Sequence, residues 1–268
     1  MTGAITTRVD LSSDRSDDIV VRVRDLRTAF GDTVIHENLD LDVRRGEIIG
    51  LVGGSGTGKS VLLETILGLN TPAAGKVEVL GYDVHDDVGS LAVVSRIGVM
   101  FQNGALFSSL TVRENVEAPL LEHTPFPADF ICGLAELKIR LAGLADDAGL
   151  KKPSELSGGM RKRAGVARAI ALDPELLFLD EPTAGLDPIG AAEFDDLVRR
   201  LRDALGLTVF MVTHDLDSLY AICDRVAVLA DRKVAAIDTI AMLEKSDHPW
   251  IKSYFGGPRG RAVQEKTT

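Results

Sequence analysis

The chain has 268 residues, 45% of them hydrophobic, which is enough to bury a substantial core in one lobed domain. A formal net charge of -10 argues against nucleic-acid binding, which needs a broad basic surface. No apolar run approaches the roughly 20 residues of a membrane span, and no signal-peptide pattern opens the chain, so a soluble protein that stays where it is made is expected.

Residues 1–18, MTGAITTRVDLSSDRSDD, are polar and read as a flexible tail. The alternation in IVVRVRDL predicts a half-buried strand. Phe30, in RTAFGD, reads either as a stacking face for adenine or as a buried aromatic. EIIGLVGG is a continuous apolar strand that runs into the glycine-rich GGSGTGKS, residues 53–60. Gly53, Gly58, Lys59 and Ser60 fit GxxxxGK[ST] between a strand and a helix start. Glycines let backbone N–H groups converge on phosphates, and the helix start adds about half a unit of positive charge. Lys59 is placed to reach the β- and γ-phosphates, and the Ser60 hydroxyl to ligate Mg²⁺.

Gln102 ends a short apolar strand in GVMFQNGALF, where its amide could touch Mg²⁺ or an attacking water. Leu106 and Phe107 follow, read evenly as core packing or as a docking surface. Between Phe126 and Gly149 the pattern turns helical, and Phe130, Leu134, Leu137 and Leu141 at spacings of three and four predict an inserted helical lobe. LSGGMRKRAGVARA, residues 156–169, opens a second helix on a serine and two glycines, a second arrangement suited to an anion. Met160, Ala164, Ala167 and Ala171 give that helix an apolar face, while Arg161, Lys162 and Arg163 read as a solvated face.

LLFLDEP ends an apolar strand on Asp180, suited to hold Mg²⁺, and Glu181, suited to deprotonate an attacking water. His214 caps LTVFMVTHD, a strand expected beside the Asp180 strand, whereas His36, His85, His123 and His248 read as structural. DRVAVLADR is a further strand, and strands alternating with helices imply a parallel sheet covered on both faces. Cys132 and Cys223 form no CxxC pair and read as reduced, buried thiols.

In this order, GGSGTGKS, FQNG, LSGGM, LLFLDEP, AGLD and TH resemble the ATP-binding subunits of ABC transporters over about residues 19–245. The resemblance implies an α/β fold: a P-loop NTPase (RecA-like) parallel-sheet core with an N-terminal antiparallel β subdomain and an inserted helical subdomain at about 103–160. Residues 246–268 are then a C-terminal tail. It implies that Phe30 stacks on adenine and that Gly53, Gly54, Ser55, Gly56, Thr57, Gly58, Lys59, Ser60 and Val61 bind ATP. Ser60, Gln102 and Asp180 would hold Mg²⁺; Glu181, His214 and Gln102 would serve hydrolysis. Two copies would meet head to tail, so that Ser157, Gly158, Gly159 and Asp187 of one serve the nucleotide of the other. The signature ends in Met160 where many members carry Gln, and Phe30 stands where Tyr is usual.

The stretch after Gln102 and the ending HPWIKSYFGGPRGRA look like the ATPases of Mla/MCE-type lipid transport systems. That likeness implies a homodimer on the cytoplasmic face of the bacterial inner membrane, peripheral to it. The implied partners are an integral permease dimer, an MCE-domain lipid-binding protein and sometimes a small STAS-domain protein, with no nucleic acid. The segment after His214 is too short for the regulatory domain of sugar or methionine importer ATPases. A polar-solute importer ATPase is the alternative, and a non-transport ABC protein the more distant one.

Overall fold

The structure, a computed structural model, describes residues 18–257. The tail expected over residues 1–17 and the end of the chain beyond 257 lie outside the described residues. Strands β1 (Ile19–Phe30) and β2 (Thr33–Arg44) form a long hairpin, and Val21, Val23, Leu39, Leu41 and Val43 turn inward. β3 (Ile48–Gly53) is apolar along its length because sheet neighbours and helices cover it on both sides, and it delivers the chain into α1 (Lys59–Ile66). β4 (Ala74–Val79) and β5 (Tyr82–Asp83) return to the hairpin and complete an antiparallel sheet of order β2-β1-β4-β5. α2 (Asp87–Val94), capped by the Asp86 carboxylate, then leads to β6 (Ile97–Met100).

A helical unit follows. A capping box between Thr111 and Glu114 starts α3 (Val112–His123), which packs against α4 (Ala128–Leu141) and α5 (Gly158–Ala169). The face of α4 that packs is not the one marked by Phe130, Leu134, Leu137 and Leu141. Ile131, Ala135, Ile139 and Ala142 are buried, whereas Phe130 is 51% and Leu137 49% exposed, with Leu134 and Leu141 half-buried. Both stripes satisfy the helical period, and the buried one carries small side chains opposite Val112 and Val116 that let the helices approach closely. Lys138 on the same face is buried and paired with Asp173.

The rest of the chain completes the second sheet. It runs through β7 (Leu176–Asp180), α6 (Pro188–Leu205), β8 (Thr208–Val212), α7 (Leu216–Ile222), β9 (Arg225–Ala230) and β10 (Lys233–Asp238). The order is β10-β9-β3-β8-β7-β6, parallel except for the β9–β10 pair. α7 crosses β3 so closely that a Cβ on Gly50 would stand 2.5 Å from Leu219 Cδ2. Arg225 grips both Glu47 oxygens at 2.8 Å, joining the start of β9 to the turn before β3. Removing either half of so enclosed a pair costs about 3–5 kcal/mol.

Short α8 (Ile240–Leu243) and α9 (Pro249–Phe255) end the described chain. α9 falls where a C-terminal tail was expected, yet Ile251 and Phe255 are buried against Val52, Leu216 and Leu219. Cys132 and Cys223 are free thiols; Cys132 is half-buried, whereas the Cys223 sulfur packs against β3 and the core, where burial raises its pKa.

Candidate functional site

The sheet places its chemistry at one edge. β3, β8 and β7 are neighbours with parallel direction, so Gly53, the segment after Val212, and Asp180 emerge side by side. Ligands of open α/β sheets bind at this carboxyl edge. His214 follows β8, and β8 lies beside β7, as the apolar runs lead one to expect.

The loop from Gly53 to Gly58 turns tightly, with Gly56 at φ 76° and Gly58 at φ 93°. Gly58 has a second constraint: a Cβ there would stand 2.4 Å from Ile35 Cγ2 and 2.6 Å from His36 Nε2. α1 therefore starts on a residue without a side chain, and its first N–H groups receive no side-chain cap. They are donors suited to phosphate oxygens. Lys59 Nζ donates to the carbonyls of Gly53 and Gly54 at 2.9 and 3.0 Å, and burial holds its pKa below the usual lysine value. Ser55, Gly56 and Ser60 are exposed; Gly54, Thr57 and Val61 are half-buried.

Asp180 ends β7 with its carboxyl pKa raised by burial and by the nearby Glu181 and Glu64, while the backbone N–H of Gln102 opposes the shift. A cation beside it would favour the charged carboxylate, and Ser60 lies in the first turn of α1, which follows β3 in the same sheet as β7. This donor set of carboxylate, hydroxyl and amide oxygens suits a hard divalent cation. Gln102 opens a single 3-10 turn, and its side chain is exposed.

Glu181 has φ 48°, a left-handed conformation that a residue with a side chain rarely holds. Its N–H donates to Val212 O at 2.8 Å and its carbonyl accepts from Lys162 Nζ at 2.9 Å. Those two bonds hold the strained peptide, and the carboxylate turns to His214 Nδ1 at 2.8 Å. Below them, Asp215 caps α7 and gathers Thr183 and Ser218 at 3.3 Å.

The signature lies apart from this cluster. Ser157 is the N-cap of α5 and accepts from Met160 N–H at 3.2 Å. Around Gly158 there is open space, since a Cβ there would meet nothing within 4 Å. The groove beside it is lined by Leu106, Pro153, Arg161, Lys162 and Gly185, and by none of the residues 53–60. Asp187 caps α6 with its own carboxylate, accepting from Ile189 and Gly190 N–H at 3.0 and 2.9 Å. Phe30 is 54% exposed at the tip of β1, its ring available for stacking.

Comparison with known proteins decides the family. The ABC transporter family matches residues 36–184. The Haemophilus influenzae intermembrane phospholipid transport system ATP-binding protein MlaF is 39% identical over 249 residues, 92% of this chain and 94% of that protein. The chain belongs to the ABC transporter family. The Escherichia coli MlaF is 38% identical over 240 residues, 89% of each chain. A Mycobacterium leprae protein named as a probable ribonucleotide transport ATP-binding protein is 35% identical over 90% of this chain and 70% of its own. Among solved structures, Clostridium perfringens cbiO1, part of an ABC transporter complex, superposes with a TM-score of 0.78 at 28% identity, covering 93% of this chain and 100% of that one. A dimeric ATP-binding cassette bound to ADP and Pi after hydrolysis matches with a TM-score of 0.74 at 29% identity, over 82% of this chain and 98% of that one.

This ABC cassette is therefore an ATPase subunit, and its α/β P-loop fold is the one expected. Two cations of α5 were read otherwise from sequence, whereas His36 is structural as expected. Lys162, expected on a solvated face, is only 4% exposed because α5 turns it under Glu181; burial lowers its pKa. Arg163 is likewise half-buried, reaching Ala142 O and Glu193. His36 is buried, its Nδ1 2.8 Å from Thr28 Oγ1 and its Nε2 facing the Gly58 backbone. Within the run RKR nothing marks the middle residue; only the pitch of α5 against β7 selects it. Leu106 and Phe107 also divide: Leu106 packs against the helical cluster, while Phe107 is 56% exposed under Arg168.

Proposed function

We propose that this cassette binds MgATP and powers movement of phospholipid or another hydrophobic molecule between bacterial membranes. The observation that carries the reading is the 39% identity to a phospholipid transport ATPase across 92% of the chain. ATP lies with its adenine on Phe30 and its phosphates on residues 53–60 at the start of α1. Ser60, Asp180 and Gln102 hold Mg²⁺, which neutralises phosphate charge. Glu181 takes a proton from the attacking water, and His214, paired with it, contacts the γ-phosphate.

The open Gly158 surface, separate from the P-loop of its own chain, supports a shared site in which Ser157, Gly158, Gly159 and Asp187 serve the nucleotide of a second copy. Such a homodimer sits beneath a dimeric permease on the cytoplasmic face of the inner membrane, with an MCE protein beyond and a small STAS-domain partner in some systems. No helix among the described residues is long and apolar enough to cross a membrane, so protein contacts would supply its membrane attachment. The relative named for ribonucleotide transport favours a second reading, an importer of polar solutes.

Isolation of the complex from native membranes separates the two. An MCE protein, with phospholipid bound to the permease and MCE parts, is the expected result. A polar-solute permease without an MCE protein would remove the lipid assignment and leave the ATPase intact.

A further inference from the structure

We propose that α9 acts as an aromatic clamp on the ATP site, with Tyr254 a positioning residue for the switch loop and Trp250 one for the phosphate loop. Tyr254 Oη donates to the carbonyl of His214 at 3.2 Å. Trp250 Nε1 lies 3.6 Å from the point where a Cβ on Gly54 would stand. The two rings stack on each other, centroids 4.7 Å apart and planes 15° from parallel. One rigid plate thus touches both loops, which leave the adjacent parallel strands β3 and β8.

The plate is well anchored. Ile251 and Phe255 are buried in one cluster with Val52, two residues before Gly54, and with Leu216 and Leu219, on the helix after His214. Phe255 braces Tyr254 edge-on at 5.1 Å and 90°. Burial, with the carboxylates of Asp215 and Glu181 nearby, raises the phenol pKa, so the hydroxyl remains a donor. The His214 side chain is largely exposed and reaches Glu181 from a loop, so its peptide needs a fixed point. Tyr254 supplies that point from outside the motifs. The clamp makes the position of the switch imidazole depend on the state of the phosphate loop.

The inference rests on His214 serving hydrolysis, and the variants are chosen to separate the two ideas. The full chain carries one tryptophan, so its emission reports Trp250 alone. Saturating MgATP is expected to change that emission in the wild type but not in Lys59→Ala at the same concentration. Tyr254→Phe keeps the stack and removes the donor; kcat should fall about fivefold, the worth of one hydrogen bond, with KM for ATP unchanged. Trp250→Ala should raise KM, and Trp250→Phe should restore it. Unaltered emission on saturation, or an unaltered kcat in Tyr254→Phe alongside a depressed one in His214→Ala, overturns the clamp. If His214→Ala itself hydrolyses normally, the catalytic reading of His214 falls and the clamp falls with it.

Discussion

At the scale of single residues, Glu181 combines a carboxylate at the sheet edge with a strained peptide held by Val212 and Lys162. Glu181→Gln keeps the shape and loses the proton acceptor, so turnover should fall by about 10²-fold or more while nucleotide binding survives. A phosphate-release assay beside an ATP titration measures both, and normal hydrolysis would take Glu181 out of the chemistry. His36 supports a different expectation. Burial pushes its imidazole from 6.5 down to about 4, so the folded state prefers it neutral. Its stabilising contribution is complete above 6.5 and is lost as pH falls toward about 4, because the unfolded chain takes the proton first. Asp195 works the other way in the same window, its carboxyl raised to about 6 by burial. Melting curves of wild type and His36→Phe between pH 7 and 5 isolate the histidine, since Asp195 is common to both. The difference between them should shrink on acidification. A constant difference means that His36 carries no proton linkage.

At the scale of elements, the proposed shared site turns on the start of α5. α5 begins on Ser157 and two glycines, a start suited to an anion, with open space at Gly158. Gly158→Asp has room in the single chain and should leave ATP binding on residues 53–60 near normal. The added carboxylate would repel the γ-phosphate of a second copy, so ATP-driven dimer formation and hydrolysis should both drop steeply. Size measurement with MgATP, together with binding to the isolated chain, tests this. Loss of binding in the monomer would show the signature acting on its own chain's nucleotide. The loop after Gln102 is also an element with a fixed shape: Asn115 ties it at Phe107 and Leu110, and Arg168 holds Gly104 and Ala105. Its apolar tip is Phe107, not Leu106.

For the whole molecule, the proposed complex requires that closure of two cassettes move a permease, and the surface formed by the loop after Gln102 and the helical unit is where that motion would pass. An exposed aromatic at the centre of such a contact dominates its energy. Phe107→Asp should therefore release the cassette from native membranes while the free chain still binds ATP. Sedimentation of membranes with and without the change reads this directly. Retention of the variant would move the permease contact elsewhere. Leu106→Asp is a poorer probe, because Leu106 packs into the helical cluster and its loss would loosen the fold.

The motifs were legible because they act through the backbone. A glycine at Gly58, a strand ending in Asp180 or a helix beginning at Ser157 needs only its immediate neighbours to set its geometry, and those neighbours are in the sequence. Strand adjacency was legible for a similar reason: alternating strands and helices leave few ways to build a parallel sheet, and His214 after β8 came to lie against Glu181, which follows β7. Other features depended on contacts between elements distant in the chain. Two stripes of α4 had the same period, and only packing against α3 and α5 chose Ile131, Ala135 and Ile139 over Phe130 and Leu137. Lys162 was one of three adjacent cations until the placement of α5 over β7 buried it beneath Glu181. α9 looked like a tail because seven residues at a chain end have no helical stability of their own. Its fold, and its reach to Gly54 and His214, come from the apolar surface that β3 and α7 present to it, which exists only once the sheet is assembled.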